Sequence, residues 1–81
     1  MATLRLFAAA REAAGTGREV IHARTVGAVL DQARSRHGDR FADVLAESRV
    51  WLNGEPADLA APVEDGDEVA ILPPVSGGSG V

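Results

Sequence analysis

The chain begins with two stretches of alternating hydrophobic and polar residues, separated by a short helical segment. Residues 3–8 alternate polar and apolar side chains, with Leu4 and Leu6 on one face, which predicts a strand. Residues 9–14 are rich in helix formers and stop at a glycine, which predicts a single short turn of helix. A second strand is predicted at residues 19–23, so the chain starts with a hairpin.

A helical period follows the second strand. Thr25 is suited to the N-cap position, and Gly38 supplies a stop for the helix. Between them, one apolar stripe is formed by Val26, Val29, Leu30 and Ala33. Phe41, Val44 and Leu45 then predict either a brief second helix or an ordered loop.

The second half of the chain has the pattern of short strands joined by turns. Residues 50–52 predict a third strand, and the Asn53-Gly54 pair that follows is a strong signal for a tight turn. Pro56 has no backbone N–H, so a strand around it belongs at a sheet edge. Residues 68–72 predict an apolar last strand that ends at two prolines, and we expect this strand to be central.

This order of elements predicts an α+β fold of the β-grasp, ubiquitin-like type, a mixed four- to five-stranded sheet with one main helix packed across it. A ferredoxin-like alternative needs a second full helix before the last strand, and residues 56–63 are a poor candidate for one. We expect residues 1–74 to form a single domain and residues 75–81 a flexible tail with Gly-Gly at 77–78. The residues expected to be mostly buried are Leu4, Leu6, Val20, Val29, Leu30, Val69 and Ile71.

Composition limits the chemistry that the side chains can provide. The 81 residues contain no cysteine, which excludes disulfides, thiol nucleophiles and cysteine-ligated metal centres. All eight basic residues are arginine, so no lysine side chain can receive an isopeptide bond. His22 and His37 have no companion at metal or triad spacing. They are expected to be a strand-face and a helix-end histidine, and no metal site is predicted.

The charge balance bears on partners and location. A net charge of −4 and a pI near 4.9 argue against nucleic acid as a partner and favour an electropositive protein surface. The acidic residues 64–68 are interpreted as a solvated turn, with partner docking as the alternative. No apolar run approaches the roughly 18 residues that span a bilayer, and no amino-terminal signal pattern is present. We therefore expect no membrane association and a cytoplasmic location.

The carboxy-terminal segment combines stiffness with small residues. Pro73 and Pro74 fix their φ angles and end the last strand. An extended chain from Pro73 to Gly78 could reach about 20 Å, enough to enter a pocket of another protein. Gly77 and Gly78 carry no side chain that would obstruct a narrow channel.

Four segments carry a family resemblance, in the same order and at suitable spacing. They are residues 7–15 (FAAAREAAG), Asn53-Gly54, residues 65–70 (DGDEVA) and residues 73–78 (PPVSGG). Together they resemble the MoaD/ThiS sulfur-carrier family, and most of all its molybdopterin synthase small subunits. The resemblance implies a sulfur carrier for molybdopterin, and hence molybdenum cofactor, biosynthesis. Such a carrier is non-catalytic alone and acts as the sulfur donor of the synthase.

The resemblance also implies how the carboxy terminus works. A ubiquitin-activating-like adenylating enzyme uses Mg-ATP to activate the Gly78 carboxylate, and a sulfur donor then converts it to a thiocarboxylate. Val75, Ser76 and Gly77 would insert with it into the large subunit of molybdopterin synthase. The carrier itself would bind no cofactor. The expected partner-binding residues are Phe7, Arg11, Pro73 and Pro74.

One feature departs from the family pattern, because Gly78 is followed by Ser79 whereas most members end at the second glycine. An amide carbonyl cannot be adenylated as a carboxylate can. We therefore expect a processing peptidase to remove residues 79–81; the alternatives are a diverged paralogue and a cloning remnant. Two other functions stay open. One is a sulfur carrier for thiamine or cysteine synthesis or a ubiquitin-like protein modifier, and the other is a non-catalytic β-grasp binding module.

Overall fold

Five strands and three helices account for most of residues 1–74, which are the residues that this computed structural model describes. In chain order they are β1 (Ala2–Leu6), α1 (Ala8–Ala14), β2 (Arg18–Ile21), α2 (Val26–His37), α3 (Asp39–Ala46), β3 (Arg49–Leu52), β4 (Glu55–Pro56) and β5 (Glu68–Leu72). The predicted tail, residues 75–81, lies outside the described residues.

The strands form one mixed sheet in the order β2-β1-β5-β3-β4. β1 and β5 run parallel, and the other neighbouring pairs are antiparallel. The last strand is therefore central and Pro56 lies in an edge strand, both as the sequence predicts. With its amino-terminal hairpin, main helix and returning last strand, this is the predicted α+β arrangement of the β-grasp type.

One apolar cluster lies between the sheet and the helices. In the parallel pair, Leu4 is in register with Val69 and Leu6 with Ile71, and all four side chains are buried. Helix α2 contributes the whole predicted stripe, formed by Val26, Val29, Leu30 and Ala33. The shorter helices add Ala10, Phe41 and Leu45. Of the two interpretations of residues 41–45, the helix is therefore the one that forms.

The prediction that Val20 is buried is wrong. Its side chain is 46% exposed, whereas the next residue, Ile21, is fully buried. The antiparallel register pairs Val20 with Thr3, which faces away from buried Leu4, and sets Ile21 against buried Ala2. Because successive side chains of a strand point to opposite faces, Val20 must face outward when Ile21 faces inward.

Helix α2 is held at both ends by the predicted residues. The Thr25 hydroxyl accepts a hydrogen bond of 3.1 Å from the Ala28 amide, and Gly38 ends the helix with a φ of 85°. Near its start, the Gly27 amide donates to the Leu59 carbonyl at 2.8 Å. A Cβ at Gly27 would lie 3.2 Å from that carbonyl oxygen, so this close approach favours glycine.

Helix α1 is longer than the single turn that the sequence predicts. It has seven residues, and its amino-terminal end is not closed by a side-chain hydrogen bond. It ends where Gly15 takes a φ of 76° and donates its amide to the Arg11 carbonyl at 2.9 Å. The alanine-rich sequence favours the additional helical residues, and buried Ala10 lets the helix lie close to the core.

An ion cluster around Glu19 connects β2 to the end of α2. Glu19, whose side chain is 14% exposed, accepts hydrogen bonds from Arg36 at 2.8 Å and from His37. Burial raises the pKa of the Glu19 carboxyl, but the hydrogen bonds and charges of His37 and Arg36 outweigh it, so the pKa lies below its usual value. His37 also stacks on Phe41 with ring centroids 5.1 Å apart, and is thus the predicted helix-end histidine.

The substitution Leu30→Ala tests the assigned face of α2. It leaves a cavity against the sheet, so we expect the free energy of unfolding to fall by about 2–5 kcal/mol. Leu59→Ala is the matched control, since Leu59 is 59% exposed; we expect it to change the unfolding free energy by less than about 0.5 kcal/mol. Chemical denaturation followed by tryptophan fluorescence measures both values. A loss well under about 1 kcal/mol for Leu30→Ala would contradict the assigned face.

The substitution Glu19→Gln tests the ion cluster through its pH dependence. The pKa of the Glu19 carboxyl is lower in the folded state than in the unfolded state, where it is near 4.5. Its contribution to stability is therefore complete at pH values above 4.5, and it is lost as the pH falls through the folded-state pKa. We expect the wild type to be about 1–3 kcal/mol more stable than the variant near pH 6. The difference should shrink between about pH 5 and pH 3.

The control for this experiment is Asp31→Asn. It removes an exposed ion pair with Arg34 and should change the unfolding free energy by less than about 1 kcal/mol. Denaturant unfolding at a series of pH values measures all three proteins. A difference between wild type and Glu19→Gln that stays constant across the acidic range would show that the Glu19 carboxylate does not carry the stabilisation.

Candidate functional site

The predicted tail leaves the sheet at Leu72, Pro73 and Pro74, which we call the tail root. The central strand β5 fixes the position of these residues. β5 lies between β1 and β3, and its last residue, Leu72, is followed by buried Pro73 and exposed Pro74. The chain therefore leaves the sheet from a strand that is paired on both sides. The predicted reactive residue Gly78 and the predicted inserting residues lie outside the described residues; the latter are Val75, Ser76 and Gly77.

A groove of about 380 Å³ opens beside this root. Its lining residues are Glu47, Arg49, Trp51, Leu72, Pro73 and Pro74. Arg49 and Leu72 are direct partners in the β3–β5 register, which brings Trp51 close to the tail root. Sequence reasoning missed the groove, because its two halves meet only through the strand order. The sequence predicts Trp51 only as part of the third strand, and its half-buried side chain lies on the sheet face.

The side of the sheet that faces away from the helices is accessible to solvent, and we call it the open face. Its side chains come from alternate strand positions: Thr3, Arg5, Arg18, Val20, Arg49, Trp51, Pro56, Glu68, Ala70 and Leu72. All of them are exposed or half-buried within residues 1–74. The intervening strand positions supply the core. The open face is continuous with the groove and with the tail root.

Phe7 lies at the end of the open face nearest the tail root. It follows β1, and the parallel pairing of Leu6 with Ile71 puts it beside the Leu72 end of β5. Its side chain is 38% exposed, and the Arg5 guanidinium lies 5.5 Å from the centroid of its ring. A partner that received the tail would meet this aromatic ring at the same end of the sheet.

The Arg11 side chain lies beside the loop between α1 and β2. A Cβ built on Gly17 would lie 3.3 Å from its Nε atom, so the side chain lies against the loop backbone. Arg11 and Glu12 both line a wide depression with that loop, but they form no ion pair within residues 1–74.

The acidic residues 64–68 form a hydrogen-bonded turn at the other end of β5. Asp67 accepts from the Glu64 amide at 2.8 Å and from the Asn53 side chain at 3.1 Å, and these bonds hold the pKa of its carboxyl below the usual value. Asn53 in turn accepts from the Glu68 amide at 2.9 Å. The solvated-turn interpretation accounts for these contacts. One strand length, roughly 16 Å, separates the turn from Pro73.

The remaining features of residues 1–74 are the side chains that could bind a metal ion and the lengths of the helices. Among residues 1–74, no group of three or more histidine, aspartate or glutamate side chains is arranged to hold a metal ion. His22 lies just beyond β2, not within the strand as predicted, and is exposed. The helices described here are too short or too polar to cross a membrane.

A sequence model of the ThiS family matches residues 4–78. The match begins within β1 and ends at the second glycine of the Gly-Gly pair. Among curated proteins, no sequence matches the chain significantly.

Several solved structures share the fold. SAMP1 from Haloferax volcanii is 33% identical, with a TM-score of 0.78 and coverage of 93% of this chain and 96% of that chain. A putative molybdopterin converting factor subunit 1 from Pyrococcus furiosus is 25% identical, with a TM-score of 0.81 and coverage of 91% and 97%. A chain of the Amycolatopsis orientalis BexX/CysO complex is 27% identical, with a TM-score of 0.78 and coverage of 93% and 97%. These similarities confirm the predicted β-grasp fold.

Proposed function

Because the chain belongs to the ThiS family, we propose that it is a sulfur carrier that donates sulfur for molybdopterin biosynthesis from a thiocarboxylate on Gly78. The observation that carries the proposal is the position at which the family match ends, since residue 78 is the glycine that would bear the sulfur. The similarity to a molybdopterin converting factor subunit 1 supports the choice of pterin as the final acceptor.

The chemistry begins with a free carboxylate. A processing peptidase hydrolyses the bond between Gly78 and Ser79. In the adenylating partner, a Gly78 carboxylate oxygen attacks the α-phosphorus of Mg-ATP and pyrophosphate leaves. The sulfur of a donor then attacks the carbonyl carbon, the carbon–oxygen bond to AMP breaks, and AMP leaves with the bonding electrons. With a persulfide as the donor, a thiol then attacks the donor's own sulfur in the resulting acyl disulfide. The S–S bond breaks, the carrier keeps the outer sulfur as a thiocarboxylate, and the donor is left in a disulfide with that thiol. Mg-ATP is used only by the partner.

Small residues at the end of the chain suit these steps. An acyl-adenylate hydrolyses readily, so the partner must close around it and exclude water while keeping one line of attack open. A side chain at Gly77 or Gly78 would hold such a pocket open. Val75, Ser76 and Gly77 would enter it with the reactive residue, first in the adenylating enzyme and then in the large subunit of molybdopterin synthase.

The folded body supplies the docking surface around the tail root. An extended chain from Pro74 to Gly78 reaches about 17 Å, so a partner's reactive pocket must lie within that distance of the groove. Phe7 and Pro74 are exposed at this end of the sheet and can contact the partner directly. Pro73 is buried, and Arg11 lies beside the loop between α1 and β2. These two residues would act by positioning the backbone of the tail root and of that loop, which the partner contacts.

The proposal predicts that only the chain ending at Gly78 can be charged. We expect this chain to support pyrophosphate exchange by its cognate adenylating enzyme with Mg-ATP, and then to gain the mass of one sulfur in place of one oxygen. The 81-residue chain should show neither reaction, because its Gly78 carbonyl is an amide. Intact-mass spectrometry and a radiolabel exchange assay measure the two steps.

Two controls make this experiment decisive. Circular dichroism of both chains should be the same, which excludes unfolding as the cause of inactivity. The charged carrier mixed with the large synthase subunit and the pterin precursor should yield molybdopterin and return to its carboxylate mass. The proposal would be overturned if the adenylating enzyme did not activate the chain ending at Gly78. It would also be overturned if the enzyme charged the 81-residue chain equally well.

A second candidate function is that of a protein modifier. Its specific support is the 33% identity to SAMP1, a small archaeal modifier protein. In that case the activated Gly78 carbonyl would be attacked by a lysine amine of a target, and AMP or another carrier of the acyl group would leave. This chain would be the donor only, because it has no lysine of its own.

The modifier function predicts a covalent adduct rather than a thiocarboxylate. An affinity-tagged chain expressed in its own cell should appear in bands that resist denaturation and reducing agent. Its last arginine is Arg49, so trypsin would leave a long remnant on the target, whereas cleavage after Glu68 leaves only residues 69–78. A lysine bearing that remnant would establish the modifier function. If no target lysine carried that remnant and the free chain carried a thiocarboxylate, the result would favour the sulfur-carrier function.

A further inference from the structure

Asn53 and Gly54 form the whole loop of the β3–β4 hairpin. Leu52 is in register with Glu55, so only these two residues connect the strands. Both have positive φ angles, 51° at Asn53 and 86° at Gly54, as a two-residue hairpin turn requires. Both are also exposed to solvent. An asparagine that precedes glycine in an exposed turn is chemically reactive, because the backbone nitrogen of the glycine can attack the asparagine side chain.

The reaction available to this pair is deamidation. Hydroxide takes the proton of the Gly54 amide, the nitrogen attacks the Cγ carbon of Asn53, and a cyclic succinimide forms. The bond from Cγ to the side-chain nitrogen breaks, and ammonia leaves with a proton from water, which regenerates hydroxide. Water then opens the ring to leave aspartate or isoaspartate at position 53. Glycine permits the attack because it has no Cβ to crowd the reacting carbon.

In the folded protein the Asn53 side chain is held at both ends. Its Oδ1 atom accepts a hydrogen bond of 2.9 Å from the Glu68 amide, and its Nδ2 atom donates one of 3.1 Å to Asp67 Oδ1. The Asn53 backbone amide adds a bond of 2.8 Å to the Glu68 carbonyl. We call these three hydrogen bonds the Asn53 clamp. The clamp joins the hairpin loop to the first residue of β5.

The clamp and the reaction compete for the same atoms. Succinimide formation joins the Asn53 Cγ to the Gly54 nitrogen and expels Nδ2, the atom that donates to Asp67. Asp67 is itself fixed, because its other carboxylate oxygen accepts from the Glu64 amide at 2.8 Å. Deamidation therefore requires that the clamp opens first.

The opposite role for Asp67, that of a base which assists the attack, fits less well. The Glu64 amide and the Asn53 side chain hold the pKa of the Asp67 carboxyl below its usual value. A carboxylate of this kind is a poor acceptor for the proton of a backbone amide. The contacts of Asp67 therefore favour protection of Asn53.

The products cannot restore the clamp. Aspartate at position 53 has an oxygen in place of Nδ2, and this oxygen would face an Asp67 oxygen that lies 3.1 Å from Nδ2 in the intact protein. Two carboxylates this close repel each other. Isoaspartate adds a carbon to the backbone of a loop that the strand register limits to two residues. Either product weakens the link between the hairpin and β5.

We propose that Asn53 is a site of spontaneous deamidation, that the clamp protects it in the folded protein, and that the modification is a one-way loss of fold stability. Water is the only reagent that the reaction consumes. Asn53 is the only asparagine of the chain, so this one position determines how fast intact chains are lost by asparagine deamidation. The strand that the reaction loosens is β5, which carries the tail root at its other end.

The first test compares the folded and the unfolded 81-residue chain at the same neutral pH and temperature. Guanidinium chloride unfolds one sample, and sodium chloride matches the ionic strength of the other. Mass spectrometry follows the gain of one oxygen in place of one NH group, and the tryptic peptide that starts at Val50 assigns the gain to Asn53 rather than to Gln32. We expect the folded chain to deamidate at least about tenfold more slowly, since the clamp hydrogen bonds must open first. Equal rates, or no deamidation of the unfolded chain, would contradict the proposal.

The substitution Asp67→Ala tests whether the clamp itself gives the protection. We expect the folded variant to deamidate at least about threefold faster than the wild type, since one clamp hydrogen bond is lost. Asp43→Ala, which removes an exposed carboxylate of α3, is the matched control and should leave the rate unchanged. Leu30→Ala controls for lost stability, because it weakens the core without changing a clamp residue.

The variants Asp67→Ala and Leu30→Ala are compared at denaturant concentrations that give them equal free energies of unfolding. Faster deamidation of Asp67→Ala supports the clamp. Equal rates would assign the protection to global folding, and slower deamidation of Asp67→Ala would make Asp67 a base that assists the reaction. Either of these two results overturns the proposal.

The exchange Asn53→Asp with Asp67→Asn tests the effect of the product. Asn53→Asp alone reproduces the aspartate product, and its denaturation midpoint should fall because two carboxylates then face each other. In the double variant, the new amide at position 67 can donate to the new carboxylate at position 53 and still accept from the Glu64 amide. We expect it to recover most of the lost midpoint. An unchanged midpoint for Asn53→Asp, or no recovery in the double variant, would show that deamidation does not act through the clamp.

Discussion

The parallel pairing of β1 with β5 is the constraint on which the rest of this molecule depends. It joins the beginning of the described chain to its end, and it sets Leu4 beside Val69 and Leu6 beside Ile71 at the centre of the core. Because both strands run in the same direction, the loop after β1 and the tail root after β5 emerge at one end of the sheet. Phe7 and the groove therefore lie near the tail root as a consequence of core pairing.

The same alternation that builds the core also builds the open face. Each strand residue committed to the helical side forces its neighbour to the other side, so burial of Ile21 exposes Val20 and burial of Leu4 exposes Arg5. The helices can cover only one side of a single sheet. The open face and the core are thus built from alternate positions of the same strands, and a one-residue register shift would exchange them.

Local signals in the sequence predicted most of the elements. The Thr25 cap, the apolar stripe of α2, the Gly38 stop and the edge position of Pro56 each depend on a few neighbouring residues, and each is present. The exposure of Val20 could not be judged from apolar character alone, because it depends on pairing with Thr3. In the structure Glu19 pairs with Arg36 and His37 on the helical side of the sheet, and the alternation of the strand then places Val20 on the outer side.

The candidate site, like the fold, could be predicted only in part from neighbouring residues in the sequence. Small residues around Gly78 are visible in the sequence, and the family match extends to that residue. The groove and the open face depend on strand order, which neighbouring residues in the sequence do not give. Under the proposed function, in which the carrier visits an activating enzyme and then a synthase, this separation is an advantage. The proposed transfer takes place at Gly78, whereas the groove is fixed by strand pairing, so a substitution in one need not impair the other.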